Sequence, residues 1–308
     1  MEQMSKKGMF FTIIVIVLVS ILILSYTLYS EVRGRETVQK RIETMSTFMF
    51  SMEKDLSRQL YISGFRSIFI MERKIMETGK FISNVSNSSI ELFLEGTLDG
   101  EPQNVMDGAT FSDISDSLRL NSEKMNINTT LTFDSFEITQ ENPWNVKFIL
   151  KAQMEVKDKN NIALWNKIEI VAADVSVSNF EDPLYAVSTS GLISNNITKS
   201  PYNVFVSGSD VTNLSSHALN SYYISSSDAP SFIDRLEGRT SANVNGIESL
   251  VNLQEISSQG LPVQDKSVLD HIYFSSQNPS SSYILGMPSW FKLDSAHLNV
   301  YQASGVVG

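Results

Sequence analysis

Side chains able to do chemistry are few in this chain, and their spacing fits no common catalytic pattern. His217, His271 and His297 lie far apart, without the HExxH spacing that sets two imidazoles on one helix face. Each reads more readily as a surface or packing residue than as a metal ligand. Ser51-Met-Glu-Lys54 fits S-x-x-K but lacks the companion motifs of the serine enzymes that use it. No G-x-S-x-G, phosphate-binding loop or dinucleotide fingerprint occurs. The absence of cysteine excludes disulfides, thiolate nucleophiles and cysteine metal sites. Asp99, Glu101, Asp107, Asp113 and Asp116 make an acidic, glycine-punctuated stretch, but their spacing misses the EF-hand pattern for calcium and a solvated loop is the simpler reading. The residues therefore assign no catalytic, cofactor-binding or metal site, and the chain reads as non-enzymatic.

The most informative spacing concerns chemistry done to the chain. Lys6-Lys7-Gly8 stands directly before an uncharged run from Met9 to Ser30. At about 1.5 Å of rise per residue that run reaches about 33 Å, close to the hydrocarbon thickness of a bilayer. A cleaved secretory signal has a shorter apolar core and small residues at its cut, whereas here Ser25 and Thr27 are flanked by Tyr26, Leu28 and Tyr29. An uncleaved signal-anchor accounts for the length and the lack of charge.

A third reading rests on the order of parts: a short polar leader, two lysines, a glycine, then a hydrophobic helix at once. This resembles the leader of type IV prepilins, most closely in its archaeal form, and the resemblance covers Met1 to about Lys80. It implies that a prepilin peptidase cuts between Gly8 and Met9, with Lys6, Lys7, Gly8 and Met9 as the processing residues. It also implies that the helix has membrane lipid, copies of itself or other pilin-like subunits as partners. Bacterial major pilins carry a glutamate five residues past the cut; that position is Ile13 here, as in archaeal pilins, which commonly lack the acid.

The elements that follow suit such a subunit. Val38, Ile42, Met45, Met49, Met52 and Leu56 recur at spacings of four and three, which predicts a helical stripe. Glu31 with Arg35 and Glu36 with Lys40 are favourable pairs four apart. The stripe is expected to drift through Leu60, Phe65, Phe69 and Met76, with Gly64 interrupting it and Gly79 ending the helix. Unbroken from Met9 to Thr78, that helix would be about 105 Å long.

Beyond it, Val146, Phe148, Leu150, Ala152, Met154 and Val156 alternate with mostly polar residues and predict a strand with one buried face. Asn126–Thr139 and Ile162–Val177 flank it as neighbours, with Asp158-Lys-Asn-Asn161 as a hairpin turn. In the third strand Ile168, Ile170 and Ala172 are expected to face inward, with a bulge near Ala172-Ala173 to bring Val175 and Val177 into phase. Thr110–Met125 reads as a weak helix. From Phe180 the texture is loop-rich, with short helices expected at 229–238, 246–251 and 265–274. Tyr222-Tyr223 and Trp290-Phe291 read as core aromatics, with a recognition surface as the other use. Asn84, Asn87, Asn128, Asn196 and Asn213 head Asn-x-Ser/Thr triplets, about the number chance supplies.

The fold expected is thus α+β: a long N-terminal transmembrane and stalk helix packed on an antiparallel sheet head, followed by a loop-rich mixed region. The segments are a leader at 1–8, a transmembrane helix at 9–30, an amphipathic stalk at 31–78, a sheet head at 79–179, and an extension or second domain at 180–308. Residues 1–80 carry 12 Lys and Arg against 8 Asp and Glu, and residues 81–308 carry 12 against 26, so a basic stalk bears an acidic head. An acidic head is a poor ligand for nucleic acid. Lys6 and Lys7 favour a cytoplasmic N-terminus; Arg33, Arg35, Lys40 and Arg41 on the other flank oppose it, but long domains are exported largely regardless of such charge. The expectation is a single-pass cell-membrane protein with an extracellular head. Two functions fit: a minor or tip subunit of a pilus-like filament, or an anchored surface binding protein whose stalk dimerises.

Overall fold

A computed structural model of the protein describes Glu2–Gly308, with side chains described from Gly8 onward. It is mixed α+β, with one long, initially apolar N-terminal helix and small sheets. That helix, α1, runs without interruption from Glu2 to Thr78. No proline falls within it to remove a hydrogen bond. Gly79, in the left-handed region at φ +63°, stops it, its N–H donating to the Ile75 carbonyl at 2.8 Å. In the apolar part the Thr12, Ser20 and Thr27 hydroxyls donate to carbonyls three or four residues back, so none needs water as a partner.

Helix α2 (Val85–Glu95) is capped by Asn84, whose side chain accepts from the Asn87 N–H. Strands β1 (Thr97–Leu98) and β2 (Glu101–Pro102) form a small ladder, and α3 (Phe111–Glu123) follows where the weak helix was expected. The main sheet has the order β3 (Ile127–Asn142), β4 (Asn145–Asp158), β5 (Leu164–Ser176). The Asp158 N–H donates to Ala163 at one end and the Val177 N–H to Trp144 at the other, so β4 and β5 run antiparallel. Along β4 the six alternating apolar residues from Val146 to Val156 are all buried, as their period requires.

The remainder is built from short pieces: α4 (Pro183–Ser188), α5 (Thr212–Leu219), β6 (Tyr223–Ser225), α6 (Phe232–Leu236), β7 (Ile247–Ser249), α7 (Leu253–Ser258), α8 (Asp270–Tyr273), β8 (Ser281–Tyr283) and β9 (Lys292–Asp294). Pairs β6–β7 and β8–β9 are antiparallel.

The chain divides into two compact units. The first comprises Met1–Lys54, Leu118–Leu131 and Met154–Lys167. Within it Met45, Met52, Ile127 and Val156 are buried. The Arg41 guanidinium donates to Asp158 at 2.5 Å and to the carbonyls of Met125 and Asn126 at 2.9 and 2.8 Å. Burial alone would raise the Asp158 carboxyl, but Arg41 and the amides of Asn160 and Ile162 hold it below its ordinary range.

The second unit comprises Asp55–Ser117, Thr132–Gln153 and Ile168–Gly308. Here Phe93 stacks on Phe136 at 4.3 Å between centroids and Phe111 meets Phe133 edge-on at 5.5 Å. A separate cluster gathers Tyr185, Leu214, Leu250, Leu269, Phe291 and Tyr301.

Several expectations need correction. In the second half of α1 the buried face is Leu60, Ser63, Ser67, Ile68, Met71 and Ile75, while Phe65, Phe69 and Met76 lie at its exposed margin. Gly64 lies within that buried face rather than interrupting it; a Cβ there would stand 2.5 Å from the Phe148 ring, so glycine is what that approach requires. In β5 the alternation is unbroken and buries Val171, Ala173 and Val175, with Val177 in the same phase just past its end, leaving Ile168 and Ile170 on the exposed face and no need of a bulge. The 246–251 segment is strand β7 rather than helix, buried at all three of its positions, and in 265–274 only Asp270–Tyr273 is helical.

Gly64→Ala is expected to lower stability by about 1–3 kcal/mol through overpacking against Phe148. That outcome would come despite a gain of about 1 kcal/mol in helix propensity. Adding Phe148→Leu should recover part of the loss. Denaturant unfolding of the detergent-solubilised chain measures both, and a single variant as stable as the parent would contradict the packing.

Candidate functional site

Several short elements of the second unit bring polar side chains into its interior. Asp182 caps α4, its Oδ1 accepting from the Leu184 N–H at 2.9 Å, and its Oδ2 accepts from the Tyr223 hydroxyl at 2.7 Å. Arg235, on α6 and fully buried, donates from Nη1 to Asp182 at 2.5 Å and to Asp270 at 2.9 Å, and from Nη2 to the Ile247 carbonyl. The Ser231 capping box with Asp234 starts α6 and so places Arg235. Asp270 Oδ2 also accepts from the N–H and hydroxyl of Ser249 at 3.0 and 2.8 Å. Burial is the largest influence on both carboxyls. It keeps Asp182 above the ordinary range, whereas Arg235 and His271 draw Asp270 well below it.

Beside this charge cluster lie Glu248 on β7, His271 on α8 and His297 after β9. One possible ligand atom from each falls within 4.8 Å of the others, the one such group among the described residues. All three are buried. His297 Nδ1 pairs with Asp294 Oδ1 at 2.8 Å, and His271 Nδ1 lies 3.3 Å from Asp270 Oδ1. His297 Nε2 stands 3.5 Å from Glu248 Oε2, longer than an N–H···O bond, and neither Glu248 oxygen has a hydrogen-bond partner. The buried Tyr301 hydroxyl is also unpartnered, and burial with the neighbouring Glu248 carboxylate opposes its ionisation. Burial favours the neutral His297 ring, but the carboxylates of Asp294 and Glu248 outweigh it and raise its pKa to about 10.

Sequence reasoning assigned no site here. His271 and His297 are brought together by tertiary structure, with no local spacing to announce it, and Glu248 sits in a segment read as helix. The remaining candidates disperse. Lys6, Lys7, Gly8 and Met9 are in the first turns of α1. The side chains of Lys6 and Lys7 lie outside those described; a Cβ on Gly8 would meet nothing within 4 Å, and Met9 is exposed. The acidic stretch is used locally: Asp99 pairs with Lys74, and Asp113 accepts from the N–H groups of Gly108 and Thr110. Ser51 donates to Thr47 on its own helix, away from any nucleophile geometry. Tyr223 and Phe291 are core residues.

His217 is separate and fully buried, with Nδ1 3.0 Å from Ser200 Oγ and Nε2 unpartnered. Burial lowers its pKa from 6.5 to about 4. Because the folded value lies below the unfolded one, its contribution is complete above pH 6.5 and is lost as pH falls toward 4. The full loss is about 3 kcal/mol. Unfolding titrations from pH 7 to 4 should show this slope flattened in His217→Gln, and equal slopes would contradict it. Neither the sequence profile of any known family nor any characterised protein or solved structure matches the chain.

Proposed function

We propose that this protein is a membrane-anchored, non-enzymatic subunit of an extracellular pilus-like filament, of the minor or tip kind. The observation that carries the reading is the exposed apolar start of α1. From Met9 to Tyr29 its large apolar side chains are 40% to 73% exposed, and α1 is long and apolar enough to cross a membrane. Such a surface needs lipid or other helices against it. A filament subunit uses both in turn: lipid before assembly, neighbouring copies afterwards. Contacts of Ser63 with the Ala109 carbonyl and of Gly64 with Phe148 support a second half of the stalk lying on its own head. The N-terminus would be cytoplasmic and the acidic head outside the cell.

One observation favours the second reading, an uncleaved anchor bearing a binding head. Helix α1 runs through the Gly8–Met9 bond, so a peptidase would have to unwind it there. Mass spectrometry of the mature chain decides between them. The filament reading expects a start at Met9, and retention of residues 1–8 when Gly8→Val blocks processing. A wild-type chain that keeps residues 1–8 would remove its main support.

A further inference from the structure

We propose that Glu248, His271 and His297 hold a structural divalent transition-metal ion, with zinc the best fit. The donor set is two imidazoles and one carboxylate, which zinc takes at about 2.0–2.2 Å. Two ligands of one tetrahedral ion then stand about 3.3 Å apart. The 3.5 Å between His297 Nε2 and Glu248 Oε2 is close to that edge, and it is too long for a good hydrogen bond. The three donor atoms lie within 4.8 Å of one another, so closing them onto edges of about 3.3 Å takes side-chain movement on the order of 1 Å.

The surroundings are those of a built ligand shell. Asp294 on Nδ1 of His297 and Asp270 on Nδ1 of His271 orient the rings and leave the other nitrogen of each for the metal, as supporting carboxylates do in zinc sites. The surroundings are acidic: Arg235 pairs with two buried carboxylates, Asp182 and Asp270, while Glu248 and Asp294 face His297, and a zinc ion would take the place of the proton that those two favour on its ring. Glu248, with both oxygens lacking hydrogen bonds, is the group Arg235 does not reach.

Burial makes the role structural, because a closed site admits no substrate. The ion would join β7, α8 and the turn after β9, three short elements in a chain without disulfides. The inference does not depend on the filament reading and would hold equally for an anchored binding protein.

The test uses the full chain in detergent on a histidine-free tag, stripped with chelator and titrated with Zn2+. Elemental analysis should find about one zinc per chain. At free Zn2+ about 100 times its Kd, the folding equilibrium should shift about 100-fold toward the folded state. Glu248→Gln and His297→Gln should abolish stoichiometric binding, and Asp294→Asn should weaken it about 10- to 100-fold. His217→Gln, a buried histidine outside the set, should bind as the parent does. Should a ligand variant fail to fold, the Co2+ absorption of the parent and of Asp294→Asn still reports on the site, with tetrahedral bands expected. A parent chain that binds no zinc above the chelator blank, shows only hydrated Co2+, or loses zinc equally on His217→Gln overturns the proposal.

Discussion

One buried guanidinium organises the C-terminal part of this protein. Arg235 joins the cap of α4 through Asp182, the start of α8 through Asp270, and the backbone of β7 through the Ile247 carbonyl. Those elements are three to six residues long, too short to be stable by their own hydrogen bonds. Without disulfides, what holds them is the apolar cluster around Tyr185, Leu250 and Phe291 together with this charge network. Such a network is costly to bury, and its value lies in specificity: each donor accepts only one arrangement of its neighbours.

The same reasoning explains which parts were legible in the sequence. Strand β4 was readable because six apolar residues keep a period of two without a break. Strand β5 was not, since Ile168-Glu-Ile-Val-Ala-Ala offers apolar residues in both phases. The phase that faces inward carries Lys167, whose ammonium pairs with Glu53, and then Glu169, so it looked like the outer face. In α1 the apolar bulk of Phe65 and Phe69 drew the stripe away from Ser63, Gly64 and Ser67, small residues that allow close packing. The charge cluster was the least legible feature. Asp182, Arg235, Glu248, Asp270 and Asp294 look like surface residues in any local window, and only the tertiary fold makes them one site.

The N-terminal third obeys a different constraint. Its apolar surface runs all round α1 up to Tyr29, and the hydroxyls of Thr12, Ser20 and Thr27 are satisfied by the helix itself, which suits a hydrocarbon surrounding. Past that point basic side chains find acidic partners within each unit, Arg41 with Asp158 and Lys74 with Asp99. The opposite charges of stalk and head are thus used partly inside the chain.

The central claim is that Arg235 fixes the arrangement of the C-terminal elements, and equilibrium unfolding of Arg235→Met tests it most directly. Removing the guanidinium strands two buried carboxylates, so a loss of about 3–5 kcal/mol is expected. Part of that loss should return when Asp182→Asn and Asp270→Asn are added. A change below about 1 kcal/mol, with no recovery in the combined variant, would contradict the account.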